Sequence, residues 1–160
     1  MRQIHHLIAG PGSLVIGIDH IPELVEQARQ NLSRSPTTLS ALTSTPPSII
    51  LHTGDGREGA PAELLDAENK EMFDCIHVGC AAPGIPPHLT DQLKRGGRMF
   101  VPIGEADGAQ YIYLVDKDSF GNVEAKKLFG VRYIPFVPPL SLCCNDTEGS
   151  GADSRIQQLS

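Results

Sequence analysis

Apolar positions along the chain fall into short runs separated by turn chemistry, and their spacing changes from segment to segment. Ile4, Leu7 and Ile8 stand at i, i+3 and i+4 before Gly10-Pro11-Gly12, which predicts the end of a short helix and a turn. Leu14 to Ile18 is a continuous apolar run and predicts a buried strand. Pro22 suits a first helical turn, where its missing N–H costs nothing, and Leu24, Val25, Ala28 and Leu32 then share one helix face. Ser33 to Ser48 is rich in Ser, Thr and Pro and predicts a long surface loop. Ile49 to Thr53 reads as a strand leading into Gly54-Asp-Gly-Arg-Glu-Gly59. Ala62 to Glu71 predicts a short polar helix, Phe73 to Gly79 a strand, His88 to Lys94 a short helix stopped at Gly96-Gly97, and Arg98 to Ile103 another strand. Gln110 to Val115 and Val123 to Tyr133 are strands joined across Asp116–Asn122 in a hairpin-type connection. Helices between parallel strands thus give way to an antiparallel edge, the pattern of an α/β fold. From Ser141 onward the sequence predicts a disordered tail.

Composition narrows this picture. At 160 residues the chain is sized for one domain. Aromatics make up 5% and Trp is absent, so the core has to be built from Ile, Leu, Val and Ala. A net charge of −6 argues against a protein that tracks nucleic-acid phosphates. No run of eighteen apolar residues suggests a membrane span, and the N-terminus lacks the apolar length of a signal peptide, so a cytoplasmic protein is expected. Cys75 and Cys80 lie in or beside an apolar strand, whereas Cys143 and Cys144 are adjacent near the tail. Neither pair has zinc-site spacing, and no metal is expected.

Two stretches could carry chemistry. Val15-Ile-Gly-Ile-Asp-His-Ile-Pro is a strand that ends on Asp19 and turns straight into a helix. In nucleotide-binding α/β folds a carboxylate there accepts hydrogen bonds from ribose hydroxyls; as a plain loop residue, Asp19 would cap the helix instead. Gly54-Asp-Gly-Arg57 follows the next strand, at the end where open α/β sheets bind ligands. Asp55 could accept from an exocyclic amine such as adenine N6, though Gly-Asp-Gly is also ordinary turn chemistry. His20 could line the same pocket, and His77 reads as a core or sheet-surface histidine. No Ser/His/Asp or Cys/His set is legible from spacing.

The succession of segments is more specific than any one of them. It runs from Val-Ile-Gly-Ile-Asp-His-Ile-Pro-Glu-Leu-Val through Gly-Asp-Gly-Arg-Glu-Gly to Phe-Asp-Cys-Ile-His-Val-Gly-Cys-Ala-Ala-Pro. Leu-Lys-Arg-Gly-Gly-Arg-Met-Phe-Val-Pro-Ile-Gly and Gly-Val-Arg-Tyr-Ile-Pro-Phe-Val follow. In sequence and order this resembles the protein-L-isoaspartate (D-aspartate) O-methyltransferases, over roughly Ile4 to Val137. The resemblance implies a doubly wound, Rossmann-like methyltransferase sheet with an antiparallel C-terminal edge, a partial methyltransferase domain over residues 1–140 and a disordered tail over 141–160. It implies S-adenosylmethionine as cofactor, and methyl transfer to the free carboxyl of L-isoaspartyl (D-aspartyl) residues in damaged proteins or peptides. Asp19 and His20 match ribose-side contacts of the family; Asp55 and Gly56 match adenine-side contacts. A carboxylate nucleophile is already ionised at neutral pH, so no strong base is required and positioning with water exclusion would carry the rate.

The chain also departs from that pattern. The family's Asp-Val-Gly-Ser-Gly-Ser-Gly loop, on its first strand, and its upstream Ala-Thr-Ile-Ser-Ala-Pro-His segment, which supplies a serine beside the transferred methyl, have no counterpart before Val15. Where a threonine commonly touches the cofactor, this chain has Val137. The sequence therefore predicts a truncated form or an incomplete gene model, weak or absent cofactor binding, and no catalytic residue of its own. The missing strand would lie mid-sheet, between the strands of Asp19 and Cys75, leaving a gap of nearly 10 Å at a strand spacing of about 4.8 Å. Such a chain is expected to be weakly stable, to re-pair the two strands, or to aggregate. Two other readings stand beside this one: an inactive short form that binds a partner through exposed strand edges, and an NAD-type dehydrogenase, suggested by Asp19 alone.

Overall fold

The computed structural model describes residues 13–64, 72–105 and 107–134. Within them the order is β1 (Val15–Asp19), α1 (Pro22–Ser33), α2 (Pro36–Thr43), β2 (Ile49–Thr53), β3 (Phe73–His77), α3 (Pro87–Gln92), β4 (Leu93–Ile103), β5 (Gln110–Lys117) and β6 (Val123–Val131). The predicted α/β class holds, as does the change from parallel to antiparallel pairing. β1 and β2 pair in parallel, with Asp19 opposite Thr53. β3 and β4 pair in parallel, while β4–β5 and β5–β6 are antiparallel.

The strands form two sheets, β1–β2 and β3–β4–β5–β6. Among the described residues nothing pairs with the second side of β1 or of β3, and the two strands do not pair with each other. Of the outcomes anticipated for a mid-sheet gap, direct re-pairing is thus not adopted. Each sheet keeps its own core. Val25, Leu32 and Ala41 of the helices pack with Ile49 and Leu51 of β2. Leu89 of α3 packs with Val78, Ala82, Leu93, Met99, Val101 and Val115 over the larger sheet. Burying each large aliphatic side chain contributes about 1.5–3 kcal/mol.

One polar contact joins the two halves, and a second braces the larger one. Gln92, at the end of α3, uses its side-chain amide like a peptide group. Its Oε1 accepts from the Ala60 N–H at 2.8 Å, and its Nε2 donates to the Ala60 carbonyl at 2.9 Å. The fit is close, since a Cβ on Gly59 (φ +76°) would lie 2.3 Å from Gln92 Oε1. Lys117 is 8% exposed, and its Nζ donates to the carbonyls of Thr90 and Leu93 at 3.0 and 2.9 Å. A cation thereby adds a donor to carbonyls at the C-terminal end of α3, where positive charge is favoured.

Several local expectations are corrected. The Ser33–Ser48 stretch is not a loop: Pro36 opens α2 in its first turn, and the buried Thr38 hydroxyl donates to the Leu32 carbonyl. Polar composition misled there because the Thr hydroxyl works inside the structure. The helix expected over His88–Lys94 is Pro87–Gln92, and Gly96-Gly97 does not stop it. Both glycines lie inside β4, where the register jumps from Phe73↔Leu93 to Cys75↔Arg98. Gly96 has φ +79°, and a Cβ on Gly97 would stand 2.8 Å from the Lys94 carbonyl. Only Ala62–Leu64 of the polar helix expected over 62–71 is described, as a 3-10 turn. The helix end at residues 4–8, the contact position Val137 and the tail lie outside the described residues.

Candidate functional site

The carboxyl ends of three strands, β1, β2 and β3, supply the candidate residues. β1 ends on Asp19, and the Asp19 carbonyl accepts from the Gly54 N–H at 3.0 Å, which ties the exit of β2 to the exit of β1. That bond brings the Asp55 turn alongside Asp19 and His20. The terminus of β3 continues through Val78 and Gly79 to Cys80. Nothing described lies within 4 Å of a Cβ built on Gly79, so that end of β3 faces open space.

Asp19 does not cap α1, whose N-cap is Ile21 and carries no side-chain cap; it closes a turn just before the helix. Its Oδ1 accepts from the Ile21 N–H at 3.1 Å and lies 3.8 Å from His20 Nδ1. No hydrogen bond to Asp19 Oδ2 occurs among the described residues. His20 Nε2 is buried and has no hydrogen-bond partner there. A buried polar atom without a partner costs about 1–3 kcal/mol.

Asp55 caps the 3-10 turn Gly56–Glu58, its Oδ1 accepting from the Arg57 N–H at 3.0 Å. The Arg57 guanidinium also clasps both carboxylate oxygens, with Nε 3.0 and 2.9 Å from Oδ1 and Oδ2. These side-chain hydrogen bonds hold the Asp55 carboxyl below its usual range, with a smaller electrostatic contribution from His20. Any amine that approached Asp55 would compete with Arg57 for it. Gly56 is the first residue of this turn, with its backbone set by the Asp55 cap. The Cys80 thiol is pushed up to about 11, first by burial and then by the negative charges of Asp19 and Asp55. Cys80 thus shares a field with both carboxylates, and it remains a neutral thiol at physiological pH.

The four residues singled out from sequence, Asp19, His20, Asp55 and Gly56, are brought to one end of the β1–β2 sheet. Cys80 and Arg57 join them and were not singled out; both stand within segments already marked as specific. His77 lies on the sheet surface, stacked on Phe100 with ring centroids 5.8 Å apart, as its strand position suggested. Among the described residues no cluster of three or more His, Cys, Asp or Glu could hold a metal ion, and no helix is long and apolar enough to cross a membrane. A shallow groove along the outer face of α1, lined by Pro22, Glu23, Gln27 and Gln30, lies apart from these carboxylates.

Acidic residues at the carboxyl ends of parallel strands stand where nucleotide-binding α/β folds hold their ligands. The comparisons carry this further. The profile of the protein-L-isoaspartate(D-aspartate) O-methyltransferase family, PCMT, matches residues 3–140, and the chain belongs to that family. It is 38% identical over 129 residues to a protein-L-isoaspartate O-methyltransferase of Triticum aestivum, covering 81% of this chain and 51% of the relative. Protein-L-isoaspartate O-methyltransferase 1 of Arabidopsis thaliana is 40% identical over 129 residues, with the same coverages. The chain spans about half the length of these curated relatives. Its fold is similar, at a TM-score of 0.64 and 24% identity, to a crystal structure assigned to a Plasmodium falciparum protein-L-isoaspartate O-methyltransferase in complex with S-adenosyl-L-homocysteine. That match covers 82% of this chain and 56% of the other.

Proposed function

We propose that this chain holds the adenosine portion of S-adenosylmethionine, in a methyltransferase acting on the free carboxyl of isoaspartyl residues in proteins. Membership of the family supports the reaction class. The observation that carries the site is the part-exposed Asp19 carboxylate beside His20, whose Oδ2 accepts no hydrogen bond among the described residues, at strand ends tied together by the Gly54 N–H on the Asp19 carbonyl. Asp19 keeps Oδ2 available for a ribose hydroxyl, while Oδ1 stays on the Ile21 N–H and fixes the carboxylate. Asp55 and Gly56 form the adenine side, with Arg57 holding the Asp55 carboxylate ionised and oriented until the base arrives.

These residues fit the cofactor chemically, as two carboxylates and an imidazole facing hydroxyls and an amine. When bound, the cofactor supplies an electrophilic methyl group. The chain's own contribution is positioning: it orients the adenosine and, through Gly79, leaves room at the end of β3. The acceptor is an isoaspartyl carboxylate, ionised at neutral pH without help from a base. The proposed setting is cytoplasmic.

Transfer of labelled methyl from S-adenosylmethionine to an isoaspartyl peptide, against the aspartyl peptide as control, tests the reaction. Selective, base-labile labelling is expected of a chain that completes it. Titration with S-adenosylhomocysteine tests the site separately. Asp19→Asn and His20→Ala are expected to weaken binding about tenfold or more, at about 1.4 kcal/mol or more for a lost hydrogen bond to a charged or buried group. Equal affinity of both variants and the parent chain would refute the site.

A further inference from the structure

Gln110 opens β5 and is 3% exposed. A buried primary amide has four hydrogen-bonding positions to satisfy, and its partners here lie on a different part of the chain. Its Oε1 accepts from the Tyr133 N–H, and its Nε2 donates to the Tyr133 carbonyl at 3.2 Å and to the Glu105 carbonyl at 3.1 Å. The side chain therefore mimics a peptide unit and adds one more rung to the sheet, beyond the point where β6 ends at Val131. What it fixes is the segment 132–134.

That segment bears on the site through one bond. The Ile134 carbonyl accepts from the Ala81 N–H at 2.9 Å. Ala81 is 2% exposed, so its N–H has little access to water and depends on this partner. Ala81 follows Cys80, whose thiol feels the charges of Asp19 and Asp55. Next along, Ala82 is held to β4 by its N–H to the Pro102 carbonyl and by its carbonyl to the Gly104 N–H. The loop leaving β3 is thus pinned on its far side by β4. It is pinned again at Ala81 by Ile134, which Gln110 holds by way of Tyr133.

We infer that Gln110 is a positioning residue: its amide clamps Tyr133–Ile134, and this clamp fixes the Gly79–Ala81 backbone against which the cofactor would lie. The inference rests on the reading of this end of the sheet as the adenosine site. Gln110 touches neither the cofactor nor the reacting atoms; it acts through Tyr133, Ile134 and Ala81.

The test compares the full chain with Gln110→Leu and Gln110→Glu. It measures residue-resolved amide hydrogen exchange, and affinity for S-adenosylhomocysteine by titration calorimetry. Gln110→Leu removes all three bonds. Gln110→Glu keeps an acceptor for the Tyr133 N–H and loses both donated bonds. The Ala81 amide is expected to exchange about tenfold faster in Gln110→Leu, with a smaller acceleration in Gln110→Glu, while Val101 and Val115 in the core keep their parent rates. Affinity for S-adenosylhomocysteine should fall in the same order. Parent-like exchange at Ala81 in both variants overturns the clamp. Equal acceleration at Ala81, Val101 and Val115 also overturns it, because it shows general loosening rather than positioning. If the parent chain itself gives no binding heat, the proposed cofactor site falls, and the exchange measurement alone decides the clamp.

Discussion

Replacing Gln92 by Leu should loosen the join between the two sheets more than any surface change of similar size. In the parent, the Gln92 amide satisfies both backbone groups of Ala60, a residue 5% exposed. Leucine has similar bulk and no polar atoms, so the Ala60 N–H and C=O both lose their partner. Each buried, unsatisfied group costs about 1–3 kcal/mol. Gln92 is itself half-buried, so water reaches part of the vacated position, and the expected sum is about 2–4 kcal/mol. At a urea m-value of about 2 kcal/mol/M this lowers the unfolding midpoint by about 1–2 M. Gly59→Ala approaches the same bond from the other side. Its new Cβ would stand 2.3 Å from Gln92 Oε1, and the residue would need φ +76°. Since both changes break one contact, the double variant should be less destabilised than the two single losses added together. The assay is urea unfolding followed by far-ultraviolet circular dichroism. A midpoint shift below about 0.3 M for Gln92→Leu, or full additivity with Gly59→Ala, would refute the argument that this amide carries the join.

Three further outcomes are expected. The Asp55 carboxyl titrates below the ordinary 3.8 because of Arg57. A depressed carboxyl contributes its stability above the ordinary value and loses it as the pH falls through the depressed one. Arg57→Gln should therefore return the Asp55 titration, followed by carbon-13 NMR, toward 3.8, and the stability gap between the two proteins should close in acid; an unmoved titration would exclude Arg57 as the cause. With a thiol raised to about 11, Cys80 should alkylate with iodoacetamide at pH 8 far more slowly than exposed Cys75, as read by fragment mass spectrometry; comparable rates would contradict the burial and charge argument. Lys117→Met keeps the apolar stem and removes the donor to the Thr90 and Leu93 carbonyls, so the urea midpoint should fall by about 0.5–1 M, and an unchanged midpoint would show that solvent satisfies those carbonyls equally well.

The two glutamines explain why part of the structure was not legible in the sequence. Glutamine usually lies at the surface, and nothing in the neighbouring sequence sets Gln92 or Gln110 apart. Each becomes structural only because the fold places a stretch of backbone against it, Ala60 in one case and Tyr133 in the other. Neither partner is near in sequence, so no local pattern announces the pair. Lys117 belongs with them, since a lysine in a strand gives no sign that its ammonium donates to two carbonyls at a helix end. The helix at Pro36–Thr43 was missed for a related reason: the Thr38 hydroxyl is spent internally, and a count of polar residues cannot register that.

What the sequence by itself determined is local and periodic. Continuous apolar runs marked β1 and β2, and Pro22 with a 3.6-residue stripe marked α1. Strand-terminal Asp19 and the Gly-Asp-Gly turn marked the candidate site, because side-chain direction and turn chemistry follow from a few neighbouring residues. The order of these segments was enough to reach the family that the comparisons show. Tertiary structure alone decided that β1 and β3 do not pair, that Arg57 already occupies the Asp55 carboxylate, and that His20 Nε2 is buried with no partner among the described residues. Each of these depends on which distant groups share a small volume, and hydrogen bonding and desolvation act over that distance rather than along the chain.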